Sequence, residues 1–297
     1  MKRHVLNYIR KIIGTSDFYL LRYDNRRYQL IEHILHETKM GITNEKYVDH
    51  DIIVSLTTYG KRINDVAFTI ESIMEQTMKA NRIILWLDHS FEQKQIPKAL
   101  VAQQKRGLEI AYCDDIRSYT KLIPSLRMFP NDTLITIDDD VIYDYDVLEH
   151  LITSYKEDQQ SIHCCRCKKI LFQNSTIKKY NKWPFVKYGE NDKTIFFTGV
   201  GGVLYPPRSL DVEVLNESVF MDICKYGDDI WFNAMAQRKG TRIKKVYTRN
   251  SDGEDYIVNP FVQDIGLFRI NVEVESMNDK QIKSVFSKYG IYINSRI

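Results

Sequence analysis

The sequence predicts an α/β protein: a mostly parallel central sheet flanked by helices, preceded by a small N-terminal helical appendage. Short, apolar, β-branched runs alternate with helical segments, which is the pattern of strands joined by crossover helices and covered on both faces. Between residues 50 and 270 no low-complexity linker and no internal repeat divides the chain.

Residues 1–47 are rich in Arg, Lys and Tyr and read as short helices, with a break at Gly14-Thr15-Ser16-Asp17 and an end near Gly41. From Asp51 the pattern changes. "DIIVSLTTY" is a buried strand, and "NDVAFTIESIMEQT" a helix with Val66, Ile70, Ile73 and Met74 on one face. "RIILWLD", "LEIAYCDD" and "DTLITIDDD" are the second to fourth strands. Then follow a strand in "SIHCCRCKKILF", a glycine-bearing stretch "FFTGVGGVLYPPRSL", a helix from "GDDIWFNAMAQRKG" and a strand "IKKVY". "MNDKQIKSVFSKYG" has the spacing of a terminal helix ending at Gly290, which sets off 276–297 as a C-terminal helical tail.

With 297 residues, 43% of them hydrophobic and 12% aromatic, the chain can bury a sizeable core. Its formal charge of +3 arises from 42 basic and 39 acidic side chains, too even a balance for a nucleic-acid binder with a dominant basic face. "MKRHVLNYIRKIIG" is broken by Asn7, Tyr8, Arg10 and Lys11 before an apolar signal core forms, and no run is long enough to span a bilayer. The five cysteines lack a framework spacing, so reduced thiols and a cytoplasmic location are expected. "HCCRC" has no second ligand pair to make a zinc site and reads as small half-buried strand residues.

The chemistry concentrates where an apolar strand runs into Asp138, Asp139 and Asp140. Two carboxylates ~5 Å apart at an effective dielectric of ~20 repel by roughly 3 kcal/mol, so the cluster needs a cation, a proton or open water. Ligands of open parallel sheets sit beyond the carboxyl ends of the strands, where these aspartates fall. In an extended segment Asp138 and Asp140 share a face and Asp139 points the other way. Two carboxylates with phosphate oxygens and water are a common way to hold Mg²⁺ or Mn²⁺. A solvated acidic turn continuing through Asp144 and Asp146 is the plain alternative, but such a turn would more often contain Gly, Asn or Pro. A calcium loop fails because Ile142 and Tyr143 occupy a ligand position and the glycine position.

In order along residues 51–270, "VSLTTYGKRI", "IILWLD", "SYTKLIP", "ITIDDDVIY", "TGVGGVLYPP" and "GDDIW" resemble a GT-A fold glycosyltransferase. More narrowly they resemble the bacterial family-two-like enzymes of surface-polysaccharide biosynthesis, with residues 48–275 as the GT-A domain. The resemblance implies a nucleotide-sugar donor, UDP-linked, and a saccharide or lipid-linked acceptor. It implies that Thr57, Thr58, Tyr59 and Arg62 line the nucleoside pocket with Asp88 nearby. Lys121 would lie near the diphosphate, and Asp138 and Asp139 would belong to the donor site. Asp138 and Asp140 would hold Mn²⁺ or Mg²⁺. Many such enzymes supply a further ligand late in the chain, often His; no His follows His163, so Asp252 is the candidate here.

Gly199, Gly201 and Gly202 suit a backbone passing close to a sugar, or equally a tight bend. Trp183 is a candidate for stacking on an acceptor, with ordinary packing beside Pro184 as the alternative. Asp229 is the expected base, with Asp228 second, and a single base opposite the leaving diphosphate inverts the anomeric centre. A haloacid-dehalogenase-like phosphatase also combines a strand-end DxD with a later acidic pair, although its nucleophile ends a first strand and Asp138 ends a fourth. A non-catalytic carbohydrate-binding module is the rival outside enzymes. Met1–Gly41 carries eight basic and four acidic side chains, and Val5, Ile9, Ile12 and Ile13 could form an apolar stripe. Peripheral membrane contact through this segment, or docking of the stripe on the rest of the protein, is therefore expected.

Overall fold

The computed structural model describes residues 15–174, 176–190, 194–249, 255–262 and 277–291. Its first described element is one helix, α1 (Thr15–His36), which begins within the break expected at Gly14-Thr15-Ser16-Asp17 and stops short of the end expected near Gly41. Tyr23 and Leu30, seven residues apart and so on one helical face, are buried against Ile142 and Ile257. Arg26 adds a 2.6 Å ion pair to Glu75. The proposed apolar stripe at Val5, Ile9, Ile12 and Ile13 lies outside the described residues.

The alternation read from the sequence continues as β1 (Ile52–Thr57), α2 (Val66–Met74), β2 (Arg82–Asp88), α3 (Lys98–Gln104), β3 (Leu108–Cys113), α4 (Ile123–Met128) and β4 (Thr133–Thr136). Next come β5 (Val141–Tyr143), α5 (Val147–Glu157), β6 (Ile162–Cys164), β7 (Cys167–Lys169), β8 (Phe172–Gln173), β9 (Thr176–Ile177), β10 (Ile195–Phe197) and β11 (Val203–Tyr205). The described chain closes with α6 (Glu217–Ile223), α7 (Asp228–Lys239), β12 (Ile243–Lys245), β13 (Tyr256–Val258) and α8 (Met277–Tyr289). No described helix is long and apolar enough to cross a membrane.

The central sheet has seven strands in the order β12-β6-β11-β4-β1-β2-β3, and β11 alone runs antiparallel to its neighbours. The fold is therefore the expected α/β class with a mostly parallel sheet. Period-two alternation divides β1 between two cores: Ile53 packs with Trp86 and Leu134 on one face, and Ile52, Val54 and Leu56 with Ile83, Leu85 and Ile135 on the other. Both faces are buried, which explains the near-continuous apolar runs.

"SIHCCRCKKILF" is not one strand. Ile162–Cys164 joins the central sheet, whereas Cys167–Lys169 pairs with β10 in a separate ladder. Cys164, Cys165 and Cys167 are buried free thiols. Helix α7 stops at Gly240 and α8 at Gly290, at φ of 79° and 65°, the left-handed conformation that favours glycine at a helix end.

One feature of strand order positions the site. β1, β2 and β3 step outward in one direction, and the chain then crosses back to lay β4 on the other side of β1. A crevice opens between the carboxyl ends of two strands whose connections diverge. Thr58 leaves one of those ends and Asp138–Asp140 the other.

Candidate functional site: a carboxylate cluster at the β1–β4 crevice

Thr58 and Asp139 close the crevice directly: Thr58 Oγ1 donates to Asp139 Oδ2 at 2.6 Å. Arg62, one turn further on, reaches the same carboxylate at 2.7 Å through Nη1 and Asp140 Oδ2 at 3.1 Å through Nη2. Its Nη2 also donates to the Val262 carbonyl at 3.2 Å, tying the segment after β13 to the site. Burial pushes Asp139 up to about 6 despite the opposing Arg62 charge.

The expected alternation of the three aspartates does not occur. β4 ends at Thr136, and Asp139 and Asp140 lie in a turn before β5, so one guanidinium can span both. Thr69 holds that turn by donating to the Asp139 and Val141 carbonyls at 3.0 and 2.7 Å. The Asn259 N–H donates to the Asp140 carbonyl at 2.7 Å.

Asp138 belongs to a second group of charges. Lys121 Nζ lies 2.9 Å from Asp138 Oδ1 and 2.9 Å from Asp228 Oδ2, joining the end of β4 to the start of α7. The contact to Asp138 is a hydrogen bond, whereas that to Asp228 is an ion pair whose angle makes none. Lys121 is 7% exposed, and Asp138, Asp228 and Asp229 together raise its pKa well above the usual lysine value against the effect of burial.

Asp229 projects from the first turn of α7. Its Oδ2 accepts the Gly199 N–H at 2.9 Å, while its buried Oδ1 has no hydrogen-bond partner. The residue as a whole keeps some exposure, yet its carboxyl is enclosed. Burial and the adjacent Asp228 push it up to about 7, with Lys121 and the Gly199 N–H pulling the other way. A carboxylate so tuned can take a proton near neutral pH.

Gly199 is the glycine that the site requires: a Cβ there would stand 2.8 Å from both Asp229 Oδ1 and Lys121 Nζ. Gly201 and Gly202 have φ of 96° and 104°, and a Cβ on Gly202 would meet Leu151 at 3.3 Å, so Gly202 is constrained by the α5 core. Asn233, four residues after Asp229 and hence on the same helical face, donates to the Asp229 and Phe197 carbonyls and accepts the Phe197 N–H. That spacing was the readable signal for it. Tyr143, whose hydroxyl accepts the Asp138 N–H at 3.0 Å, had none.

Of the other expected residues, Tyr59 flanks Arg62, while Thr57 and Asp88 bond to the backbone of the β2 region. Thr57 Oγ1 donates to the Trp86 carbonyl at 3.0 Å, and Tyr59 is 44% exposed with its ring 5.4 Å from the Arg62 guanidinium. Asp88 accepts the Ser90 N–H at 2.8 Å and so caps the turn that follows β2. A cleft of about 410 Å³ opens against its neighbours Trp86 and His89 and reaches Arg127 and Glu217, sharing no residue with the carboxylate cluster. Asp252 lies outside the described residues. Trp183 corrects an expectation: at 3% exposure, packed on Tyr180 and Phe196 and donating to the Lys178 carbonyl, it is a core residue and has no face for a sugar.

The donor set of Asp138 and Asp140 is hard carboxylate oxygen, which fits Mg²⁺ or Mn²⁺. Each carboxylate has a cationic side chain in contact, so a metal would share or displace Lys121 and Arg62. Among the described residues, the one group of three ligand types with mutually close ligand atoms is elsewhere: His33, Glu71 and Glu75. Arg26 and Arg106 already pair with those glutamates.

No protein-family model matches the sequence, and no curated protein matches it either. Among solved structures the chain is similar to S. aureus TarS 1-349, at 13% identity and a TM-score of 0.46 over 83% of this chain and 73% of that one. It is similar to the inositol-1-phosphate CTP transferase from T. maritima at 10% identity and a TM-score of 0.41, over 76% and 98% of the two chains. Similarity to 4-diphosphocytidyl-2C-methyl-D-erythritol synthase is at 9% identity and a TM-score of 0.44, over 75% and 100%. Such low identities and scores leave the function to be read from the side chains themselves.

Proposed function

We propose that the chain is a nucleotide-sugar-dependent transferase, specifically a divalent-metal-dependent glycosyltransferase with a UDP-sugar donor and a saccharide or lipid-linked saccharide acceptor. Residues 48–275 are its catalytic unit. The observation that carries this reading is the convergence of Lys121, Asp138, Asp228, Asp229 and Gly199 within hydrogen-bond or ion-pair contact at the carboxyl end of the sheet.

In this proposal Thr57, Thr58, Tyr59 and Arg62 face the nucleoside, and Lys121 faces the diphosphate. Asp138 and Asp140 hold Mn²⁺ or Mg²⁺, which when bound neutralises the charge on the departing nucleoside diphosphate. Asp229 accepts the proton of the acceptor hydroxyl as its oxygen bonds to the anomeric carbon. The bond from that carbon to the diphosphate breaks, so attack from the opposite side inverts the centre. Gly199 fixes one oxygen of Asp229 and leaves the other for the proton. Peripheral contact of residues 1–47 with the inner face of a membrane would bring the enzyme to a lipid-linked acceptor.

A thermal-shift panel tests the reading: UDP, UDP-sugars, CTP and other nucleotides, each with and without Mn²⁺. A ligand that binds only the folded state raises the melting temperature by mass action. UDP and a UDP-sugar should shift it in the presence of Mn²⁺, with sugar transfer or slow donor hydrolysis following. Pyrophosphate release from CTP and a sugar phosphate would move the chain to nucleotidyl transfer. Turnover of p-nitrophenyl phosphate would support the phosphatase alternative, and binding without any turnover a carbohydrate-binding module.

A further inference from the structure

A second charged feature, of opposite sign, adjoins the strand that leads into Gly199. From Arg166 to Glu190 the sequence holds Arg166, Lys168, Lys169, Lys178, Lys179, Lys182 and Lys187 against the single acid Glu190. Most of this excess could be a solvated face. Arg166 and Lys168 are different, because both are half-buried and both lie against Phe185, at 4.5 and 5.5 Å from its ring centre. Lys168 also lies 4.1 Å from the Tyr180 ring centre.

Neither cation is paired with a carboxylate among the described residues, and Arg166 Nε is buried with no hydrogen-bond partner. Burial and the Arg166 charge lower the Lys168 pKa. Two like charges beside one ring, out of full solvent and without a counter-ion, repel each other. An oxyanion between them would relieve that cost, and the guanidinium and ammonium would give it charge-assisted hydrogen bonds.

The pair connects to the catalytic cluster through one residue. Arg166 Nη1 donates to Thr198 Oγ1 at 3.2 Å, and the Thr198 N–H donates to the Arg166 carbonyl at 3.0 Å. Thr198 precedes Gly199, whose N–H holds Asp229. Burial raises the Tyr180 pKa, Asp229 raises it further, and Arg166 lowers it.

We propose that Arg166 and Lys168, framed by Phe185 and Tyr180, form an anion subsite that binds a phosphate of the acceptor beside the strand that leads to Gly199 and Asp229. The acceptor class is then a phosphorylated saccharide or a polyol phosphate, or the headgroup of a phosphorylated lipid. The link to an acceptor rests on the glycosyltransferase reading; the anion subsite itself does not.

The test measures binding without turnover. Glycerol 3-phosphate represents a soluble phosphate ester, and phosphatidic acid vesicles a lipid headgroup. Each is titrated into the full chain and into R166Q/K168Q, R166K/K168R and K121Q variants. The wild type should bind at least one probe, R166Q/K168Q should weaken it by about tenfold or more, and R166K/K168R should retain most of it. K121Q should leave it unchanged, which separates this subsite from the donor phosphates. Preference for the vesicles would assign a lipid phosphate, and preference for glycerol 3-phosphate a soluble one.

Circular dichroism with an unchanged melting temperature shows that R166Q/K168Q folds. If it does not, K168Q alone replaces it, since Lys168 makes no hydrogen bond to Thr198. UDP affinity should be the same in R166Q/K168Q as in the wild type. Equal phosphate affinity in wild type and R166Q/K168Q, or no binding of either probe to the wild type, would overturn the subsite. Phosphate binding that depends on Arg166 and Lys168 in a chain that binds no UDP would instead leave the subsite standing and remove the glycosyltransferase reading.

Discussion

The two halves of the crevice handle charge differently. On the β1–β4 side every aspartate of the turn has a cation: Asp138 faces Lys121, and Asp139 and Asp140 share Arg62. On the α7 side Asp229 has one backbone N–H, a buried oxygen without a partner and an acidic neighbour. The first arrangement gives each carboxylate a counter-ion and suits holding a ligand in place. The second favours a proton and suits moving one. Catalytic machinery is expected where charge is least well satisfied, because a fully paired carboxylate gains little by accepting a proton.

The largest effect that would break this contrast is at Asp229. Asp229→Asn keeps the size of the side chain and removes the basic oxygen, so transfer should fall by about a hundredfold or more while UDP and metal binding persist. If Asp228→Asn abolishes transfer and Asp229→Asn does not, the base is Asp228. In the wild type, transfer should rise with pH through about 7, where Asp229 loses its proton, and that limb should vanish in the variant. Stability runs the other way. A pKa raised from 3.8 means that the folded state binds the proton more tightly, so the stability tied to Asp229 declines as pH climbs from about 4 to 7. Asp229→Asn should remove that decline in a urea titration.

On the paired side the main effect should be on stability. Arg62→Met leaves Asp139, 8% exposed, without its counter-ion, and the usual cost of stranding a buried charge is about 3 kcal/mol or more. The deficit should shrink between pH 8 and pH 5, because Asp139 can then take up a proton and become neutral. A deficit independent of pH would mean that Arg62 acts by packing alone.

Gly199→Ala should have the smallest effect. The added Cβ would crowd the Asp229 carboxylate and the Lys121 ammonium, the first of which can tilt on a helix turn. A fall of about tenfold in kcat with KM for the donor little changed is expected, measured by steady-state transfer. Full activity would show that the Gly199 contact does not position the base.

What the sequence made legible follows from the range of the interactions. A strand end and a helix start are local, so Asp138 and Asp229 could be picked out before their meeting was visible, whereas Thr58, Arg62 and Lys121 were singled out through the resemblance alone. Which carboxylate pairs with which cation depends on a turn of two residues at Asp139 and Asp140, and strand periodicity stops being a guide once the strand ends at Thr136. Gly199 stood out as one glycine among three in "TGVGG", and only its closeness to Asp229 and Lys121 distinguishes it. Trp183 was misread because an aromatic beside proline is equally common on a sugar platform and in a core. The ladder of Cys167–Lys169 with Ile195–Phe197, which sets Lys168 opposite Phe196 and brings Arg166 to Thr198, is a pairing across more than two dozen residues that no local pattern announces.

Isothermal titration of UDP into the wild type and Asp140→Ala, each with Mn²⁺ and with a chelator, tests the central claim most directly. If Asp138 and Asp140 hold the cation that binds the donor diphosphate, UDP affinity in the wild type should fall by about tenfold or more when the metal is removed. Asp140→Ala should bind UDP weakly under both conditions. Equal UDP affinity with Mn²⁺ and with chelator in the wild type would contradict the account.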